Sequence, residues 1–127
     1  MPTEAQLARL VDAFYARVRA DDMLGPLFNS AVDDWSEHLE KLAGFWSSVM
    51  LTSGRYKGNP VAAHAKHADA IRPEMFDRWL MLWSETAGEI LPPADAELIR
   101  LKAERIAESL KLALFFRIDP RTGRAAA

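Results

Sequence analysis

Every long segment of this chain repeats its apolar residues at helical spacing, and none sustains the strand-like alternation of polar and apolar positions. That rules out a sheet-based core and leaves helices packed on one another. The first helix is expected from about Thr3 to Ala20, with Leu7, Leu10, Val11, Phe14, Tyr15 and Val18 on its inner face. Thr3 and Gln6 stand at capping-box spacing and mark its start. Leu24-Gly25-Pro26 reads as a break, because proline disfavours helix in the residue before it.

A second helix begins near Asp34, carries Trp35, His38, Leu42, Phe45, Trp46 and Val49 as its stripe, and ends at Ser53-Gly54. Residues 54–59 read as a loop. Asn59 then suits the cap of a short helix whose first turn holds Pro60. Arg72-Pro73 opens a third long helix over Glu74 to Ile90, with Phe76, Trp79, Leu80 and Trp83. Pro92-Pro93 separates it from a last helix of about Ala94 to Phe116, and 118–127 read as a frayed tail. The short connections and amphipathic helices predict an all-α, single-domain fold across 1–127 around one core.

Composition narrows the function by exclusion. With 127 residues, half of them apolar and a formal net charge of −2, the chain has a globular balance and no block of Lys or Arg to hold nucleic acid or an anionic membrane. No apolar run reaches the ~20 residues of a membrane span. The N-terminus lacks the pattern of a signal peptide, and a cytoplasmic protein is the expected default. The absence of cysteine removes disulfides, thiolate metal sites and thiol nucleophiles.

Chemistry must therefore come from a few polar groups on apolar faces. The three histidines are His38, His64 and His67. His38 on its apolar stripe has an ordinary explanation, a half-buried imidazole satisfied by a backbone carbonyl. His64 sits on the short helix, where neutral imidazole is a good ligand for iron, zinc or copper. His64 and His67 are three apart, so a divalent metal site is an alternative, with Asp69 the only carboxylate near in sequence. Tyr15 and the four tryptophans each have a plain packing explanation. Taken together, however, three helices each bring one polar-tipped side chain inward: Tyr15, His38 and Trp79. A flat apolar cofactor with a polar ligand on one face requires such a pocket.

The run Phe14-Tyr15, Leu24-Gly25-Pro26-Leu27-Phe28, Trp35, His38 and Phe45-Trp46 resembles the truncated haemoglobins, specifically their third group. Tyr56-Lys57-Gly58-Asn59-Pro60, His64, Phe76 and Trp79 continue the resemblance over about residues 5 to 116. The glycine pairs of the other truncated groups are missing, in keeping with group III. The resemblance implies a two-over-two helical sandwich holding a b-type haem. It places His64 as the proximal iron ligand, at its distance after Gly58-Asn59-Pro60, and Phe28 against the porphyrin. Tyr15, His38 and Trp79 would line the distal side, Leu42 and Phe45 would wall it, Trp46 would pack behind, and Phe76 would support the haem. Lys41, Tyr56, Lys66, His67 and Arg72 are candidates for the propionates.

Haem iron held by one imidazole, pentacoordinate or weakly hexacoordinate, takes oxygen, nitric oxide, carbon monoxide or cyanide. Tyr15 and Trp79 are natural donors to such a ligand, and His38 is a third donor or a gate. Firm retention suits redox chemistry on oxygen, nitric oxide or peroxide, of nitric oxide dioxygenase or peroxidase type, with electrons from a separate reductase. The alternatives are an oxygen or nitric oxide binder or sensor without turnover, and a helical interaction module without haem.

Overall fold

The computed structural model describes residues 1–115, together with the backbone of 117–118 and 125–126. Six helices carry the fold: α1 (Glu4–Ala20), α2 (Gly25–Ala31), α3 (Trp35–Leu51), α4 (Pro60–Ala65), α5 (Pro73–Ile90) and α6 (Pro93–Phe115). The backbone pieces β1 (Arg117–Ile118) and β2 (Ala125–Ala126) pair antiparallel. The expected frayed tail lies for the most part outside the described residues. No helix among the described residues is long and apolar enough to cross a membrane.

Helix α1 packs on α3 and α5 packs on α6, and α1 also lies against α5 to join the two pairs into a two-over-two sandwich. Its start follows the predicted capping box, with Gln6 N donating to Thr3 Oγ1 (3.1 Å) and Thr3 N donating to Gln6 Oε1 (2.9 Å). Leu7, Leu10, Phe14 and Val18 of α1 pack with Trp46 of α3, Trp83 of α5 and Ile99 of α6 in the main core. A smaller core of Ile71, Phe76, Ala107, Leu110 and Leu114 lies toward the far end of α6, and Leu27 and Leu80 touch both.

The segment read as a break is instead a boundary between two helices. Helix α1 ends at Ala20, and Pro26 occupies the first turn of α2, where its missing N–H costs nothing. Gly25 is required there, because a Cβ would come within 2.7 Å of the Arg19 carbonyl oxygen. The second long helix stops at Leu51, slightly before the expected point, with Thr52 in the left-handed region at φ 52° and Gly54 at φ 70°. Asn59 caps α4 as the sequence predicts, its side chain accepting from Ala62 N at 3.2 Å.

Asp21 locks this corner. Its Oδ2 accepts from the Met23 and Leu24 N–H groups (3.1 and 3.0 Å), and its Oδ1 accepts from Arg78 Nε (2.8 Å) on α5. The Arg78 guanidinium holds the Asp21 carboxyl below its ordinary range, aided by the two backbone donors. A lowered folded value means the unfolded chain binds more protons, so this stabilisation is present above the ordinary carboxylate pKa of about 3.9. It is lost as pH falls through the folded value. Asp21→Ala is expected to cost about 1–2 kcal/mol near neutrality in urea unfolding. The gap between variant and wild type should close on acidification, and a gap that is constant with pH would refute the assignment.

Candidate functional site

The predicted site lies where α1, α3 and α5 meet, with Tyr15 at the centre of a cluster of aromatic side chains. Helical spacing turns Tyr15 and Phe14 inward together, and their rings meet edge to face at 4.7 Å. Around the Tyr15 ring stand Phe28 of α2 at 5.8 Å, Trp35 at 6.1 Å and His38 at 6.3 Å, the last two from α3. Tyr15 is 4% exposed. Burial pushes its hydroxyl up to about 12, with the Trp79 indole near enough to draw it part of the way back. The phenol is therefore a proton donor throughout the physiological range. Trp79 reaches the same place from α5, its ring 5.6 Å from Phe14.

His38 is half-buried, and burial pushes its pKa down, with the charges of Lys41 and His64 adding to the effect. His64 lies near enough in space to act on His38 by its charge, although the two stand on helices distant in sequence. Yet α3 rests on α1 and α4 rests on α6. The two histidines thus stand on helices packed against different partners, and Phe28, Leu42, Phe45, Trp79 and Leu80 are half-buried apolar residues on α2, α3 and α5.

His64 has one ring nitrogen engaged by its own helix. Its Nδ1 lies 2.6 Å from the Pro60 carbonyl oxygen, one helical turn back. A carbonyl can only accept, so Nδ1 carries the proton, and in the neutral ring Nε2 keeps its lone pair. This donor set, one oriented imidazole near an apolar space edged by a phenol, an indole and a second imidazole, fits a haem.

The other predicted residues are spread more widely. Phe45 meets Tyr56 at 5.2 Å and Trp46 at 5.4 Å, on the side of the pocket toward the α3–α4 loop. Trp46 is 1% exposed and stacks on Trp83 in the main core. Phe76 sits in the smaller core, its ring 6.2 Å from Phe115, in a cluster that shares Leu27 and Leu80 with the main core. Of the propionate candidates, Lys41 pairs with Glu37 (3.7 Å) and Arg72 with Glu74 (3.4 Å), while Lys66 and His67 are exposed just past α4. No group of three or more His, Cys, Asp or Glu side chains able to hold a metal ion occurs among the described residues, which gives the His64/His67 alternative no third ligand.

Two contributors escaped sequence reasoning. Pro60 orients His64 through its carbonyl, a contact that the four-residue spacing could have signalled. Trp35 is half-buried, 5.7 Å from His38 and with the Arg19 guanidinium 4.6 Å above its ring. The stripe places Trp35 on the inner face of its helix, but no spacing reveals the Arg19 guanidinium over its ring.

No protein-family model matches the chain. It is 32% identical over 118 residues to the group 3 truncated hemoglobin ctb of Campylobacter jejuni, a match spanning 88% of this chain and 91% of that protein. The crystal structure of a group III truncated hemoglobin from Campylobacter jejuni superposes with a TM-score of 0.81 at 32% identity, covering 91% of this chain and 93% of the other.

Proposed function

The chain belongs to the group III truncated haemoglobins, and on that premise we propose that it holds a b-type haem on His64 Nε2 and binds diatomic ligands on the side of Tyr15, His38 and Trp79. The observation that carries the reading is the Pro60–His64 contact, which favours a tautomer with Nε2 open for ligation. A bound haem would supply an iron with one coordination position open to oxygen, nitric oxide, carbon monoxide or cyanide, pentacoordinate or weakly hexacoordinate when empty.

The chain's own groups do the rest. The neutral Tyr15 hydroxyl and the Trp79 N–H donate to the ligand, in a site dry enough to push the phenol far above its usual pKa. His38, kept neutral by burial, borders the same space. Phe28, Leu42 and Phe45 exclude water, and Trp46 backs them. Phe76 would support the haem from α5, beside Leu27 and Leu80.

Two donors on one small ligand favour retention over release. We assign the protein redox chemistry on oxygen, nitric oxide or peroxide, with electrons from a separate reductase, in preference to transport.

Haem binding is tested by titrating hemin into the full chain and following fluorescence of its four tryptophans. Quenching is expected to be steep and to break at one equivalent, whereas a shallow, unsaturated decline would refute the site. The reaction is tested by mixing the oxygenated protein with nitric oxide. Rapid formation of ferric haem and nitrate supports turnover, and their absence leaves a binder or sensor.

A further inference from the structure

Three of the four tryptophans form a stack that the ligand pocket does not by itself require. Trp79 and Trp83 have ring centroids 5.7 Å apart and planes within 3°, and Trp83 and Trp46 are 4.4 Å apart at 20°. One end, Trp79, stands beside Tyr15. At the other end Trp46 meets Phe45 at 5.4 Å, and Phe45 meets Tyr56 at 5.2 Å. Tyr56 is partly exposed in the loop between α3 and α4. Indoles and phenols release single electrons far more readily than other hydrocarbon-rich side chains, and stacked rings let an electron pass over short gaps. We propose that Trp79, Trp83 and Trp46 relay single electrons between the pocket and Tyr56 at the surface.

Two features favour passage of the charge over its trapping. An oxidised indole is a strong acid at its N–H, and loss of that proton strands the oxidised state where it formed. Trp83 is fully buried, and its Nε1–H has no hydrogen-bond partner among the described residues. With no acceptor for the proton, oxidised Trp83 remains able to draw an electron from its neighbour. The terminus follows from the same reasoning, since a phenol gives up an electron only if its proton can leave. Tyr15 is adjacent to Trp79, but burial pushes its hydroxyl up to about 12 and makes its proton hard to remove. Tyr56 reaches solvent, so of the two tyrosines it is the one that ends the path.

The oxidant rests on the haem reading: with hydrogen peroxide, a bound ferrous haem would supply one of the two electrons that, with two protons, turn peroxide into two waters. Tyr56 supplies the other electron through the stack while its phenolic proton passes to solvent. The radical then resides on the loop, away from the pocket.

The test uses azide radical, generated by pulse radiolysis in a solution of the full chain. It removes one electron from an accessible indole and leaves as azide anion, whether or not haem is bound. In the wild type a tryptophanyl signal is expected to give way to a tyrosyl signal in a first-order step independent of protein concentration. Tyr56→Phe, at the surface and outside the stack, should abolish that step. Trp83→Phe, which keeps a ring in place, should slow it by about tenfold or more. No tyrosyl signal in the wild type, an unchanged rate in Trp83→Phe, or a persisting signal in Tyr56→Phe would each overturn the relay. A chain that transferred electrons but took up no hemin would sink the haem reading alone, and the reverse result would sink the relay alone.

Discussion

Dioxygen is expected to leave the Tyr15→Phe protein about ten times faster than the wild type, the effect of losing one well-made hydrogen bond worth about 1.4 kcal/mol. The change keeps the ring and its contacts with Phe14, Phe28, Trp35 and His38, and removes only the hydroxyl. Because the phenol does not ionise until about pH 12, the donor is present at every working pH, and the wild-type off-rate should not vary with titration of this group. Trp79→Phe should act in the same direction. The two groups lie close enough to influence each other, so the double variant should fall short of the product of the single effects. Stopped-flow displacement of oxygen by carbon monoxide measures all three rates. Unchanged off-rates in both single variants would mean that the ligand is held by something else.

Removing the middle of the tryptophan stack should have the largest effect on stability. Trp83 is 0% exposed and touches Trp46, Trp79 and Phe14. Trp83→Ala would leave a cavity at the junction of α1, α3 and α5, at a cost of about 3–5 kcal/mol. Total stability for a domain of this kind is about 5–15 kcal/mol, so the variant should be close to unfolding at room temperature. Trp83→Phe should cost much less, since it refills most of the volume and discards an N–H that has no partner. Urea midpoints for the two variants would separate these outcomes. Equal and small losses would show that the junction repacks around the gap.

The sequence carried the helices because they depend on local signals that survive without their neighbours. The Thr3–Gln6 box, the Asn59 cap and the prolines at positions 60, 73 and 93 mark real helix starts. Helix α2 was missed because Gly25-Pro26 was read only as a stop, although proline is equally at home in a first turn. The family pattern rests on residues whose types are visible one at a time. Their company is not. That Trp79 reaches Tyr15, or that Trp46, Trp83 and Trp79 stack, depends on how α1 and α3 lie across α5, and no spacing within one helix encodes such a crossing. The division of the core is equally hidden: Phe76 and Trp79 are neighbours on α5, yet one joins the smaller cluster and the other faces Tyr15.

The most direct test of the account is the visible absorption spectrum of the purified protein, oxidised, reduced and under carbon monoxide, beside that of His64→Ala. A strong Soret band that shifts with carbon monoxide, and that is lost or altered in His64→Ala, is the result predicted from the imidazole oriented by Pro60. A colourless protein that also refuses added hemin would contradict the central claim. A Soret band indifferent to His64→Ala would move the iron to another ligand.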